Sequence, residues 1–337
     1  RGRKTCAASC WRPRSPRLRK GSTTRDALLY STSPSLNHRL YPTVDTLESL
    51  RRQMGTTRSL HTVVRTMKVL SMTNIHQCEQ AVASLGDYEK TVRDGLHIAL
   101  RHRPVGALQA RASPTGPTGV LVFGSVWGMC GRFNEVLADA VTDALSDHPA
   151  SHVGLMTFGE YVSGALAHRG WAPEHRETGP ESVDGITRRV QEVLVRLNAW
   201  RETEGLVRIV LFYNELTSGM QYAVRREQLL PLDPAWLRRI EAEPWSTNQV
   251  PAARLGWDDL FASLVQQYVF VSLYRAFAEA LASEHSSRLA AMERAEANVE
   301  ERLERLQSQF HRQRQTAITE EVLDVTAGYT AALERTP

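Results

Sequence analysis

Three sets of residues in this chain have types and spacings that bear on chemistry. The first is the turn Gly124-Ser-Val-Trp-Gly-Met-Cys-Gly131, which follows an apolar run and precedes a helical pattern. A glycine-bearing turn of that kind can cradle a phosphate on a helix N-terminus. It lacks the Gly-Lys-Ser/Thr ending of a nucleotide P-loop and the spacing of a dinucleotide fingerprint. The plainer account, glycines supplying positive φ or close packing, is therefore preferred. The second is Cys130 in the same turn, where a helix dipole can activate a thiol. No histidine stands near it in sequence, so a buried small residue is the favoured reading. The third is the set of possible metal ligands. Cys6, Cys10, Cys78 and Cys130 show neither zinc-like pairing nor a disulfide framework, and the 11 histidines contain no His-Glu-x-x-His. No catalytic residue, metal site or cofactor is expected, and the cysteine usage suits a reducing compartment.

The elements around that turn are more telling. Between Gly256 and Gly328 there is neither glycine nor proline, so nothing interrupts a helix. Leu289, Leu303, Phe310 and Ala317 fall on one heptad position and Met292, Val299 and Leu306 on the other, the pattern of a coiled-coil seam. From Asp45 to about Arg103 a second proline-free helical pattern runs, with Asp45 as N-cap and Glu48 completing a capping-box-like start. Its apolar residues recur at Leu47, Leu50, Met54, Leu60, Val63 or Val64, Met67 and Leu70, then at Ile75, Cys78, Val82 and Leu85. Gly86 and Gly95 predict a bend or break. Matching seams at the two chain ends predict an antiparallel two-helix rod.

Between the rods, strands at 119–124, 153–158 and 206–213 alternate with helices at 135–146, 160–168 and 182–200. That alternation predicts a Rossmann-like, mostly parallel α/β domain inserted between the helices. Residues 214–256 read as an irregular strand and connection. The expected division is thus 1–43, a leader; 44–103, the N-terminal coiled-coil helix; 117–250, the α/β domain; and 257–335, the C-terminal coiled-coil helix.

Composition limits the function classes. The chain of 337 residues is 42% hydrophobic and 23% charged, with no run long enough to cross a bilayer. Its net charge of +4 combines 37 Arg with 4 Lys, and beyond the first 25 residues acids interleave with the bases, which argues against nucleic-acid binding. Residues 1–43 are Arg- and Ser-rich without a core pattern. They read as translated upstream sequence before a start at Val44, as a targeting leader, or as a disordered arm. In the C-terminal rod, Arg312, Arg314, Gln315, Thr319, Glu320 and Glu321 surround a seam that thins beyond Phe310. They read either as a solvated face or as the tip of a rod turning inside a sleeve.

Four blocks carry a family resemblance: Val63-Val-Arg-Thr-Met67; Gly128-Met-Cys-Gly-Arg-Phe-Asn134; Phe212-Tyr-Asn214 with Leu229-Leu-Pro-Leu232; and Ser283-Glu-His-Ser-Ser-Arg-Leu-Ala-Ala-Met292 with Arg314-Gln-Thr-Ala-Ile-Thr-Glu-Glu321. Over residues 45–333 the chain resembles the gamma subunit, or central stalk, of F-type ATP synthases. Val126, Thr66 and His311 depart from the family's Asp, Ala and Asn, and the turn looks more like that of the alternative bacterial F-type branch. The resemblance implies a non-catalytic rotor subunit, with alpha and beta subunits, an epsilon subunit and the membrane c-ring as partners. It implies Met67, Arg288, Arg314, Gln315, Thr319 and Glu321 as shaft-to-beta contacts, beside a seam of Leu60, Val64, Met67, Met292, Val299, Leu303, Leu306 and Phe310. The implied place is the cytoplasmic face of a bacterial plasma membrane, or the matrix side of the mitochondrial inner membrane if residues 1–43 are a transit peptide.

Overall fold

The computed structural model describes residues 46–104, 116–149, 152–217, 221–245 and 255–333. The reading of residues 1–43 lies outside these. In chain order the elements are α1 (Leu47–Arg101), β1 (Thr118–Phe123), α2 (Phe133–Leu145), β2 (Val153–Phe158), α3 (Glu160–His168), β3 (His175–Glu177), α4 (Ile186–Glu204), β4 (Arg208–Leu216), β5 (Tyr222–Leu230), α5 (Pro234–Ala242) and α6 (Trp257–Leu333). At 1.5 Å per residue, the 77 residues of α6 extend about 115 Å.

Helix α1 starts one residue later than expected. Thr46 is the N-cap, and its hydroxyl accepts from the Ser49 N–H at 3.2 Å. The helix then runs unbroken through both Gly86 and Gly95. Gly95 marks a close approach instead of a break: a Cβ there would stand 2.7 Å from a Leu264 methyl.

Burial along α1 repeats every seven residues: Leu50, Thr57, Val64, Ser71, Cys78, Leu85, Val92 and Ala99 are all buried. A second row three residues earlier holds Leu47, Met54, His61, Lys68, Ile75, Val82 and Glu89, partly buried, and buried Leu96. Val64 is thus buried in the row that repeats along α1, and Met67 is half-buried beside it. Leu60 is not: it is 51% exposed, and Val63 and Leu70 also face outward. The strong apolar anchors at the two ends set the register, and a 3.5-residue repeat from those anchors passes over polar residues in the middle.

The α6 row answers it, with Leu289, Met292, Val299 and Leu306 buried and Leu303, Phe310 and Gln313 partly buried. Ala317, expected in the seam, is exposed, as is every residue from 314 to 331. The reason is where α1 begins: the Arg51 guanidinium lies 5.4 Å over the Phe310 ring, and α1 starts only four residues earlier, at Leu47. The two helices run side by side in opposite directions, as successive pairs show. His61 Nε2 meets Glu300 at 3.3 Å and Lys68 donates to Glu296 at 3.0 Å. Further along, the Tyr88 hydroxyl donates to Gln267 at 2.6 Å and Trp257 Nε1 to the Ala99 carbonyl at 2.7 Å.

The sheet has the order β3-β2-β1-β4-β5, parallel except for β4 against β5. Alternation along β1 divides the core. Val120 and Val122 point to α2 and α3, meeting Leu137, Val141, Val162 and Leu166. Leu121 and Phe123 point the other way, to Ile186, Val190 and Leu197 of α4 and to Leu273 and Phe277 of α6. The Phe277 ring stands edge-on to Phe123 and Phe158, with centroids 4.7 and 5.0 Å away. The short strand β3 and helix α5 are both absent from the expectation: β3 is one edge of the sheet, opposite β5, and α5 packs its Leu237 and Ile240 with Leu96, Leu100 and Phe261 of α1 and α6.

Where α6 crosses the sheet it carries Glu279. Burial, then the nearby charge of Glu215, raises its carboxyl from the usual 4.5 to about 7, with Arg275 and Arg225 pulling the other way. The Oε2 atom has no hydrogen-bond partner among the described residues. Because the folded state holds this proton more tightly than the unfolded state, the stabilising contribution is full below pH 4.5 and is lost as pH rises to about 7. Glu279→Gln should therefore melt at nearly the parent temperature at pH 4.5 and progressively above it towards pH 8, as read by circular dichroism.

Candidate functional site

The sequence places one glycine-bearing turn after β1, and the structure shows what that turn faces. Gly124 sits where a Cβ would stand 2.3 Å from Val162 Cγ1, so only glycine lets α3 approach the end of β1. Two residues of the turn, Met129 and Gly131, take φ of 61°, which folds the backbone back over the start of α2. The Ser125 N–H donates to Asn134 Oδ1 at 3.0 Å and Asn134 Nδ2 returns a bond to Ser125 Oγ at 2.8 Å, both buried.

The other wall is α6, in its run Ser283-Glu-His-Ser-Ser-Arg288, six consecutive polar residues that are all buried. Each faces a different partner or lies packed between them. Ser283 Oγ donates to the Asn214 carbonyl at 2.9 Å, and Ser287 Oγ donates to the Cys130 carbonyl at 2.6 Å. Glu284 Oε2 accepts from the Val126 N–H at 3.4 Å, while its Oε1 accepts from Arg288 Nη2 at 2.6 Å. Arg288 also donates from Nε to the Gly128 carbonyl at 3.2 Å and from Nη2 to the Trp127 carbonyl at 3.0 Å. One guanidinium thus holds a carboxylate of its own helix and two carbonyls of the turn, using the fork geometry lysine lacks.

The electrostatics follow from burial. Desolvation raises the Glu284 carboxyl, and the Arg288 charge and hydrogen bond work against that rise. His285 is lowered to about 4, by burial first and by the Arg288 charge second, so it is neutral at pH 7. A neutral Nδ1 accepts from Arg288 Nη1 at 3.3 Å. The Cys130 thiol is pushed up, chiefly by burial, and lies 3.6 Å from Ser125 Oγ.

The Ser125 and Val126 N–H groups at the entry to the turn donate to Asn134 and Glu284, so the anion held there is the chain's own carboxylate and the glycines serve close packing. Cys130 is protonated and enclosed, opposite to an activated thiol. The turn is a joint between the sheet and α6. Its outer side alone stays open, where Trp127 and Met129 are 60% and 58% exposed.

The other residues singled out in the sequence do not converge on this joint. Arg314, Gln315, Thr319 and Glu321 are all exposed on the part of α6 beyond the start of α1, with Thr319 Oγ1 bonded back to the Gln315 carbonyl at 2.9 Å. Met67 lies on α1, half-buried. Arg288, which the resemblance put among outward contacts, is only 6% exposed and turned inward. Ser125, Asn134, Glu284 and Ser287 went unremarked as working residues. Their one sequence signal is a polar run directly after the apolar stretch 269–282, which left no dry face for it to be a mere solvated stripe.

The ATP synthase family model matches residues 46–332. Among similar proteins, the ATP synthase gamma chain of Limosilactobacillus fermentum is 24% identical over 309 residues, which cover 85% of this chain and 98% of that one. The gamma chain of Albidiferax ferrireducens is 25% identical over 304 residues, with 84% and 98% covered. Among solved structures, a chain of the Euglena gracilis mitochondrial ATP synthase in rotational state 3 superposes with a TM-score of 0.57 at 14% identity, covering 86% of this chain and 96% of that one. A chain of its rotor in rotational state 1 gives 0.53 at 15%, with 81% and 98% covered. A sheet joined by a buried turn to one long helix, with a second long helix antiparallel to it, is thus the fold those chains share, and this chain belongs to the ATP synthase family as a gamma chain, the rotor stalk of F1.

Proposed function

We propose that α1 and the facing half of α6 form a two-stranded antiparallel coiled coil, and that this coil is a shaft turning inside a sleeve of alpha and beta subunits. The chain itself makes and breaks no bonds. The α/β layer, residues 117–250, stands on the membrane c-ring beside an epsilon subunit, and the helices of 44–103 and 257–335 carry its rotation upward. The complex sits against the coupling membrane, and among the described residues no helix is long and apolar enough to cross it.

The observation that carries this reading is where the apolar residues face. Leu60, Val63, Val69, Leu70 and Met72 on α1 are 50–58% exposed, and Ile318, Val322, Leu323, Val325 and Tyr329 on α6 are 50–68% exposed. Large apolar side chains left outward in number mark surfaces that another protein covers. Beyond Gln313 the polar residues Arg314, Gln315, Thr319 and Glu321 lie among them, so a sleeve would meet alternating grease and charge. Such a face differs with angle. Each beta subunit then meets a different side of the shaft, and three identical sites take different nucleotide affinities in proportion to those contacts.

In this scheme Arg288 is a positioning residue: it fixes the sheet to the shaft, so torque arriving at the α/β layer reaches α6 through the turn. A passive scaffold would need the seam alone. Two outcomes separate the readings. Co-expressed with alpha- and beta-type subunits, the parent chain should assemble with them, and a chain ending before Arg314 should assemble but lose most of the complex's ATP turnover. Equal turnover with and without that tip would leave only a scaffold. In the isolated chain, Arg288→Met should destabilise by about 3–5 kcal/mol, because Glu284 is left buried without its counter-charge. The double variant Glu284→Gln with Arg288→Met should recover part of that loss in urea denaturation, since neither charge then remains, while the Gly128 and Trp127 carbonyls still lack their donor.

A further inference from the structure

The seam between α1 and α6 is least apolar in its middle. From Thr57 to Ser71 the two inward rows hold Thr57, His61, Val64, Lys68 and Ser71, one apolar residue among five. His61 and Lys68 occupy the row that Met54, Ile75 and Val82 fill elsewhere. Opposite them on α6 stand Glu296 and Glu300, one helical turn apart and so on one face. His61 Nε2 lies 3.3 Å from Glu300 Oε1 and 4.0 Å from Glu296 Oε1. One donor atom from each of the three residues lies within 4.8 Å of the others.

We propose that His61, Glu296 and Glu300 bind a divalent transition-metal ion, of the zinc or cobalt class, that bridges α1 to α6. Two ligands held at about 2.0–2.1 Å by a tetrahedral ion stand about 3.3–3.4 Å apart. The His61–Glu300 pair is at that span already, and Glu296, 4.0 Å from His61 and within 4.8 Å of Glu300, reaches it by a side-chain adjustment. The donor set of one imidazole and two carboxylates suits zinc, cobalt, nickel or copper ahead of calcium or magnesium, which prefer oxygen alone.

Lys68 supports the site without filling it. Its Nζ takes Glu296 Oε2 at 3.0 Å, leaving Oε1 turned towards His61, and lies 3.9 Å from Glu293. An outer partner that orients a ligating carboxylate in this way is the usual companion of a metal site. Lys68 is thus shared between Glu293 and Glu296, while Glu300 has His61 as its partner across the helices. With Glu300 exposed, the fourth coordination place opens to water, and exchange is easy.

The ion would bind only the paired helices, so it stabilises the pairing by mass action. Untagged full-length chain titrated with Co2+ should develop the visible absorption of a four-coordinate ion at one equivalent, and saturating Zn2+ should raise the melting temperature by several degrees. His61→Ala and Glu300→Gln should each weaken Co2+ binding at least tenfold and remove most of the Zn2+ shift, with melting in chelator close to the parent's. If His61→Ala fails to melt cooperatively in chelator, His61→Gln replaces it, and the same loss is expected. An unchanged Zn2+ shift in these variants, or no one-equivalent Co2+ spectrum in the parent, overturns the site. The test needs no partner subunit, so its failure leaves the rotor reading standing.

Discussion

One helix has to satisfy three different neighbours, and the molecule is built around that demand. Helix α6 keeps one face against α1 from Trp257 to about Phe310, covers the sheet with another and then locks into a turn, and from Arg314 to Ala331 its side chains all face outward. A straight helix shows each neighbour a stripe of fixed angular position, so the sheet, the turn and α1 must all lie where the stripes fall. Leu273 and Phe277 serve the sheet; Glu284, Ser287 and Arg288 serve the turn; Met292, Val299 and Leu306 serve α1. The segment 281–289 is buried on every side because two of these neighbours overlap there.

That overlap explains why the joint is polar. A strand-to-helix turn with two residues at positive φ exposes carbonyls that no regular ladder takes up. Trp127, Gly128 and Cys130 present three of them towards α6, and Arg288 and Ser287 answer all three. A buried guanidinium needs a counter-charge, which Glu284 supplies from one turn earlier. An apolar plug of the same volume would be no less stable in general, since burying an ion pair costs about what it returns. It would, however, leave those carbonyls unpaired and let the turn slide. The pair therefore buys position more than stability.

The fold was legible in proportion to how local its cause is. The absence of proline and glycine between 256 and 328 is a property of the chain alone, and the helix is there. The short continuous apolar run Val120–Phe123 marks β1, and β2 and β4 are equally plain. The register of the N-terminal seam was not, because Leu60, Val63 and Leu70 satisfy a heptad as well as Thr57, His61 and Ser71 do on spacing, and better on hydropathy. Only the anchors at Leu50, Leu85 and Leu96, read against a partner helix, fix which row turns inward. Gly95 misled for a similar reason: its missing side chain answers Leu264, 169 positions away. At the joint, the motif residues were visible as blocks but their roles were not. Arg288 and Gly128 are paired by tertiary contact, which no local pattern encodes.

The inversion in the α1–α6 pair has an energetic consequence. Its inner rows are polar between Thr57 and Ser71, while five large apolar residues on the outside of α1 stay half in water. Burying each such side chain fully is worth about 1.5–3 kcal/mol. The outer face therefore has as much unrealised burial to gain as the inner face has secured in that stretch. Held only by each other, the two helices are strongly fixed at the sheet end, where Leu96, Leu100, Phe261 and Val271 share a core, and weakly fixed further out. In the rotor proposed above, a sleeve that covers the outer residues would let the same helices gain most where they are weakest. The stiffness such a shaft requires would then be a property of the assembly acting on α1 and α6, with the buried joint at Arg288 setting the direction in which it is applied.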